Sequence, residues 1–253
     1  MSETFLKRHD RPGPRDAEAA GLRWLAAAGG VAVCPVLAVR DDGLLLRRVE
    51  GVPPTAADAE AFGRDLARTH AAGADRFGAP PPDLAGDGWI AALPLPMTTT
   101  STRWSEFFAE HRLRPHLRAA RDAGHLTAAD AEVVDAVCER LLAGDLPGEP
   151  SAPARLHGDL WSGNVLWSSD GAVLIDPAAH GGHPETDLAM LALFGLPHLD
   201  RVLAAHAEAA SLAPGWRRRV PLHQLHPLLV HTVLFGGGYA GQAVRAARET
   251  LAL

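Results

Sequence analysis

The chain of 253 residues lacks several features, and each absence excludes a class of protein. No apolar run comes near the roughly 20 residues of a membrane-spanning helix, and residues 1–10 are too polar for the core of a signal peptide. The net charge of −6 argues against a nucleic-acid partner, and the one dense basic cluster, Arg217 to Arg219, is interpreted as a solvated helix end. We therefore expect a cytoplasmic protein that binds neither membranes nor nucleic acid.

Cysteine and lysine are both scarce. The only cysteines are Cys34 and Cys138, which lie in apolar surroundings outside any CxxC pair and are therefore predicted to be buried reduced thiols. Of the 24 lysine and arginine residues, only Lys7 is a lysine. A lysine carries a compact point charge, whereas a guanidinium is a planar fork. One retained lysine indicates a site that a guanidinium does not fit, the alternative being a surface lysine kept by chance.

The amino-terminal part of the chain has a mixed pattern. It predicts a strand at residues 4–7, an alanine-rich helix at 15–28 with Glu18 near its first turn, and a hairpin at 36–49 around an Asp-Gly turn. These elements predict a small β-rich lobe over residues 1–50.

The remainder, residues 51–253, is predicted to be mainly helical. Thr55 with Asp58 and Thr127 with Asp130 have the spacing of capping boxes, in which the two side chains satisfy helix-terminal amides. Helices are predicted at 55–72, 102–111, 114–123 and 127–143 and beyond residue 185, with a loop at 78–96. The fold class is therefore α+β with two lobes.

A polar segment runs from His157 to Asn164 and is followed by a predicted hairpin that ends at Asp176. Phosphoryl transfer needs a carboxylate that orients the attacking hydroxyl, and oxygen ligands for Mg²⁺ beside the nucleotide phosphates. Kinases carry such an Asp, an Asn shortly after it and a metal-binding Asp after a short hairpin. Asp159, Asn164 and Asp176 follow this order, which favours a kinase over an ordinary polar turn.

Two longer stretches, HGDLWSGNVLW from His157 and IDPAAHGGHPETDLAMLALFG from Ile175, resemble the fructosamine kinase (ketosamine 3-kinase) family. This family is part of the aminoglycoside phosphotransferase and choline kinase superfamily, and the resemblance implies a protein-kinase-like fold with two lobes. It also implies an enzyme that uses ATP and Mg²⁺ to phosphorylate the 3-hydroxyl of a ketosamine, such as a fructosamine or ribulosamine adduct on a small amine or a protein.

The same resemblance implies roles for individual residues. Asp159 would accept or orient the proton of the substrate hydroxyl, while Asn164 and Asp176 would hold the metal. Lys7 would contact the nucleotide phosphates and pair with Glu18. The adenine-binding hinge would consist of Arg47, Arg48 and Val49.

Three more residues have supporting roles. His157 would brace the catalytic loop. Trp161 would either stack on the sugar or its amine carrier or be pinned into the core. Asp187 would either bond back to the loop or cap a helix. For His223, His226 and His231 the sequence favours positions in the core or in a groove over a metal site, since no cysteine or carboxylate cluster accompanies them.

The sequence departs from the family at its start, where only six residues precede Lys7. The family has two strands and a glycine-rich loop there, so either the start of the sequence is misplaced or the amino-terminal lobe is truncated and lacks the nucleotide-covering hairpin, in which case we expect impaired activity. Two alternatives stay open: a kinase for another small hydroxylated amine, aminoglycoside-like or choline-like, and a degenerate kinase-like protein that binds without phosphoryl transfer.

Overall fold

The computed structural model describes residues 3–253, and its amino-terminal lobe is built on a three-stranded antiparallel sheet. The strands β1 (Thr4–Arg8), β3 (Val36–Arg40) and β4 (Gly43–Arg47) are arranged in the order β1-β4-β3. Helix α1 (Pro12–Ala26) and the short strand β2 (Ala32–Val33) complete the lobe. The core residues of this lobe are Ala19, Leu22, Cys34, Leu44 and Leu46.

Helix α1 begins three residues earlier than the sequence pattern predicts. Pro12 is its first residue, where the fixed φ of proline suits a helix and the missing amide hydrogen needs no partner. Glu18 therefore lies in the second turn and not near the first. It shares a buried face of the helix with Leu22 and Leu25, so its carboxylate points away from solvent.

The two lobes are joined by main-chain pairing that the sequence does not predict. The hairpin of the carboxy-terminal lobe, β8 (Val165–Ser168) and β9 (Gly171–Leu174), forms as predicted. Strand β2 extends it by pairing in parallel with β9, and the amide of Cys34 donates to the carbonyl of Leu174 at 2.9 Å. At the foot of the hairpin the amide of Ile175 donates to the carbonyl of Asn164 at 3.1 Å.

The carboxy-terminal lobe is mainly helical. Its helices are α2 (Ala56–Ala71), α3 (Trp104–Phe107), α4 (Arg114–Asp122), α5 (Ala128–Ala143), α6 (Pro184–Phe194), α7 (Leu199–Ala209), α8 (Val220–Phe235) and α9 (Gly238–Leu251). Its remaining strands are β5 (Gly88–Ile90), β6 (Leu93–Leu95), β7 (Ala154–Leu156) and β10 (His180–Gly182). Strands β5 and β6 form a hairpin inside the segment predicted as a loop. Within residues 3–253, none of the helices combines the length and apolar character that a membrane crossing requires.

The helices predicted at 102–111 and 114–123 are one continuous helical run. A π-helical turn, Phe108–Leu113, joins α3 to α4. Regular α-helical geometry would bring the ring of Pro115 against the carbonyl of His111, four residues earlier. The wider turn relieves this clash, and the buried guanidinium of Arg112 donates to that carbonyl at 3.0 Å. The proline is thus accommodated without ending the helix.

Both predicted capping boxes are present. In α2, Thr55 and Asp58 bond each other's backbone amides, and Thr127 and Asp130 do the same in α5. Both cysteines are buried and free, also as predicted.

The basic cluster Arg217 to Arg219 is only partly a solvated helix end. Arg217 and Arg218 are exposed, but Arg219 is buried. Its guanidinium binds both carboxylate oxygens of Glu185 at the start of α6, with Nε to Oε2 at 2.9 Å. Burial alone would raise the pKa of Glu185, but hydrogen bonds from His223 and Arg219 lower it to about 2. Arg219 therefore balances a buried charge.

We predict that Arg219→Met lowers the free energy of unfolding by about 3 to 5 kcal/mol at pH 7, because the buried Glu185 carboxylate loses its bidentate partner and keeps only His223, 3.4 Å away. The pKa of Glu185 is depressed from its model-peptide value of 4.5 to about 2. The stabilisation is therefore complete above pH 4.5 and is lost as the pH falls toward 2. Urea unfolding of wild type and variant at pH 7 and pH 3 measures both effects, and the difference should be smaller at pH 3.

Arg218→Met is the matched control, because it removes the neighbouring exposed guanidinium and should change the unfolding free energy by less than about 0.5 kcal/mol. Equal effects of the two substitutions would contradict the assignment.

Candidate active site

The predicted catalytic loop follows β7 and is held by the carboxylate of Asp187 in α6. The amides of His157 and Gly158 donate to Asp187 Oδ2 and Oδ1, each at 2.9 Å. Gly158 has a φ of 83°, and a Cβ there would lie 2.2 Å from the carbonyl oxygen of Ala178. Only glycine fits this close approach. Asp187 thus bonds back to the loop, one of the two roles considered from the sequence.

Two histidines that sequence reasoning did not single out support Asp187. His70 of α2 lies with Nε2 2.9 Å from Asp187 Oδ2, and its Nδ1 lies 2.9 Å from Nε2 of His206 in α7. Asp187 is 1% exposed, and burial alone would raise the pKa of its carboxyl group. The hydrogen bond and charge of His70, with the backbone donors, lower the pKa instead. Asp187 therefore stays charged beneath the loop.

The imidazole of His157 ties the loop to the foot of the hairpin. Its Nε2 lies 2.8 Å from the carbonyl oxygen of Ile175, and its Nδ1 accepts the amide of Asp159 at 3.2 Å. Because a carbonyl only accepts hydrogen bonds, the proton must be on Nε2. These contacts are of the kind expected of a residue that braces the loop.

The three residues predicted to carry phosphoryl transfer lie together. The side-chain amide of Asn164 donates to the backbone carbonyl of Asp159 at 2.8 Å and to its Oδ2 at 3.1 Å. It also lies 3.5 Å from the carbonyl of Asp176. Asp176 has a φ of 54°, unusual for a residue with a side chain. Burial raises the pKa of Asp159, although His157, His231 and Asn164 act in the opposite direction.

Lys7 lies between two carboxylates from different lobes. Its Nζ is 2.7 Å from Glu18 Oε2 and 2.7 Å from Asp176 Oδ1. Burial alone would lower the pKa of Lys7, but the charges of Glu18 and Asp176 raise it. Burial raises the pKa of Glu18 to about 7, although Lys7 opposes the shift. Lys7 therefore joins β1, α1 and the end of the hairpin at one point.

Two cavities meet at Lys7 and Asp176, which line both. The first, of about 400 Å³, lies between the amino-terminal sheet and the hairpin and is mostly apolar. Its other lining residues are Phe5, Cys34, Leu46, Arg47, Arg48, Val49, Leu166 and Ile175. The second, of about 460 Å³, is the cleft between the lobes and contains Asp159, Asn164, Trp161 and Glu18. The predicted hinge residues thus line one cavity and the predicted catalytic residue the other.

The donor set at this junction fits a hard divalent cation. With the Asn164 amide nitrogen directed at Asp159, its oxygen is left as an acceptor, and Asp176 supplies a carboxylate that is 39% exposed to the cleft. Amide and carboxylate oxygens are the ligands that Mg²⁺ prefers in proteins.

A second group of side chains could also ligate a metal and consists of His183, Glu185 and His223. Its members already bind other protein groups. The guanidinium of Arg219 already binds both oxygens of Glu185. His183 is fully used, with Nε2 at 2.9 Å from the carbonyl of Gly148 and Nδ1 accepting the amide of Glu185 at 3.1 Å. His223 and His226 are buried, as favoured from the sequence, and the cluster is structural.

Comparison with known proteins decides the family. A family model described as fructosamine kinase matches residues 4–253. The chain belongs to this family. It is 36% identical over 236 residues to a probable ketoamine kinase of Thermus thermophilus, covering 93% of this chain and 82% of that protein. It is 35% identical over 243 residues to a probable ketoamine kinase of Klebsiella aerogenes, covering 93% and 80%.

Solved structures agree with this assignment. A crystal structure of a candidate fructosamine-3-kinase from Thermobifida fusca aligns with a TM-score of 0.91 and 51% identity, covering 99% of this chain and 86% of that one. An ADP-bound aminoglycoside phosphotransferase aligns with a TM-score of 0.62 at 12% identity, covering 98% and 88%. That second similarity concerns the fold alone, and it confirms the predicted protein-kinase-like α+β fold.

The structure also places residues that sequence reasoning assigned weakly or not at all. Trp161 is 40% exposed in the cleft and is therefore not pinned into the core. His231 faces the same cleft, beside Phe235 at the end of α8. His70 meets Asp187, and His206 meets His70, only through the packing of α2, α6 and α7, so no local pattern could reveal them.

We predict that His70→Phe lowers the free energy of unfolding by about 3 kcal/mol, because it leaves the Asp187 carboxylate buried without its side-chain donor. His70→Gln keeps an N–H donor of similar reach and should restore most of the loss. Urea unfolding of both variants measures the difference. If His70→Gln is as destabilised as His70→Phe, shape rather than the hydrogen bond explains the effect.

Proposed function

We propose that the chain transfers the γ-phosphoryl group of ATP to a sugar hydroxyl of ketosamines, with the 3-hydroxyl as acceptor. The observation that carries this proposal is the junction of the two cavities at Lys7 and Asp176. A nucleotide in the apolar cavity has its phosphates at the point where the cleft holding Asp159 begins. The family supports a ketosamine as the acceptor.

In this proposal the lobe of residues 1–50 binds the nucleotide. The adenine ring lies in the apolar cavity beside the hinge of Arg47, Arg48 and Val49, and Lys7, oriented by Glu18, binds the phosphates. Asn164 and Asp176 hold Mg²⁺, which when bound neutralises charge on the phosphate oxygens.

The lobe of residues 51–253 supplies the acceptor side. Asp159 takes the proton of the attacking hydroxyl, and its raised pKa makes it a stronger base than an exposed carboxylate. Asn164 holds the Asp159 carboxylate in place through its amide. His157 and Asp187 keep the loop backbone fixed, and Trp161 offers an aromatic face to the sugar. We infer a cytoplasmic enzyme, since ATP is its cosubstrate, whose product is a phosphorylated adduct on an amine or a protein.

The test is ADP release from Mg·ATP with ribulosyl-lysine or fructosyl-lysine, followed by assignment of the phosphorylated hydroxyl by NMR. We predict turnover by the full chain and a loss of at least about 100-fold in kcat for Asp159→Asn, because the variant cannot accept the proton. ATP binding should persist in this variant. Asp170→Asn, in the exposed hairpin turn, is the matched control and should keep full activity.

Other outcomes would redirect the assignment. Turnover of an aminoglycoside or choline without turnover of either ketosamine would favour a kinase for another small amine. Tight binding of Mg·ATP without turnover of any acceptor would favour a degenerate kinase-like binding protein.

A further inference from the structure

A row of aromatic rings lines one wall of the cleft. Phe235 is 66% exposed and Trp161 is 40% exposed, and both contact the cavity that contains Asp159. Single exposed apolar residues are ordinary, but exposed aromatic rings gathered on one cavity wall mark a binding surface. Phe235 is the last residue of α8, so this surface reaches from the catalytic loop to the mouth of the cleft.

The rings support one another from behind. Trp161 packs edge-on against Phe194, with ring centroids 6.1 Å apart, and Phe194 packs against His231 at 5.1 Å. His231 lies 5.5 Å from Phe235 and 4.9 Å from Tyr239. Five rings from the loop and three helices thus form a continuous cluster, which we name the aromatic wall, and three of them, Trp161, His231 and Phe235, line the cleft. Because each ring is packed by its neighbours, little conformational entropy is lost on ligand binding.

His231 presents a hydrogen-bond acceptor to the cleft. Its Nδ1 lies 2.7 Å from the carbonyl oxygen of Pro227, one turn earlier in α8. Because that carbonyl can only accept, Nδ1 carries a proton, and in the neutral form of an imidazole with this tautomer the lone pair is on Nε2.

The opposite wall of the cleft has a different charge. It contains Lys7 and Arg8 of β1 together with the carboxylates of Glu18 and Asp176, both of which bind Lys7. Formal charges of both signs therefore line this side of the cleft. The aromatic wall carries no formal charge and offers ring faces, which attract cations. The two walls therefore differ in chemistry, with ion-paired side chains on the side proposed for the phosphates and aromatic ring faces on the other.

We propose that the aromatic wall is the subsite for the protonated amine of the ketosamine and for the alkyl chain of its carrier. This rests on the proposed function. His231 Nε2 accepts a hydrogen bond from the ammonium next to the sugar, Trp161 faces the sugar, and the ring of Phe235 covers the alkyl carrier. Phe235 lies one helical turn, about 6 Å along α8, beyond His231. The alkyl chain of the carrier therefore extends outward past Phe235.

The experiment measures Kd by titration calorimetry in the presence of Mg·ADP, so that it does not depend on turnover. The two probes are 1-amino-1-deoxyfructose, which has the ammonium without a carrier, and fructosyl-lysine, which has both. Phe235→Ala should raise the Kd of fructosyl-lysine about tenfold and change the Kd of 1-amino-1-deoxyfructose less than about twofold. His231→Phe keeps a ring but removes the acceptor, and it should weaken both probes.

Leu37→Ala is the matched control, because Leu37 is an exposed apolar side chain outside both cavities, and it should change neither Kd. The affinity for ADP should be the same in all variants, which shows that they fold. Equal weakening of both probes by Phe235→Ala, or no weakening, would overturn the carrier subsite. Failure of the proposed function can be told apart from failure of the carrier subsite. In that case the wild type releases no ADP, whatever the Kd values are.

Discussion

The ammonium of Lys7 is the interaction on which the site depends. It lies 2.7 Å from carboxylates of α1 and of the segment after β9, so one side chain links a strand, a helix and the catalytic hairpin. Two carboxylates brought to the same point repel each other without a cation between them. A compact ammonium can approach both, whereas a planar guanidinium would need more space. This explains why an arginine-rich chain keeps its one lysine here.

Much of the rest of the catalytic lobe is held by histidines that remain neutral. Burial lowers the pKa of His180, His183 and His206 to about 3. As neutral rings they both donate and accept, which allows them to satisfy backbone and side-chain groups without adding buried charge. His183, for example, bonds the carbonyl of Gly148 and the amide of Glu185 at once. Buried charges are held either in ion pairs, such as Glu185 with Arg219, or by backbone groups, as for Arg112 with the carbonyls of Pro96 and His111.

The sequence predicts those parts of the structure that depend on neighbours along the chain. The capping boxes at Thr55 and Thr127, the hairpin before Asp176 and the catalytic loop are all local, and their patterns are specific. Features that depend on packing are not predictable in this way. Arg219 looks like its exposed neighbours until α6 brings Glu185 to it.

Other features are unpredictable because their sequence pattern is weak or because their residues come from separate elements. Strand β2 has two residues, and only its pairing with β9 defines it. The π-helical turn arises because Pro115 must fit into a helix whose other residues favour continuation. The histidines around Asp187 and in the aromatic wall come from separate helices, so their grouping follows from the fold and from no spacing in the sequence.

The pairing of β2 with β9 has a consequence for motion. The amino-terminal lobe is attached to the rest by this main-chain pairing and, on the other side, by α1. There Gly13 packs so closely on Trp89 that a Cβ would lie 3.0 Å from the indole nitrogen. Two separated attachments resist a hinge-like opening, because a rotation that relaxes one strains the other. We therefore expect the cleft to keep its width without ligand and to admit ligands through its open end.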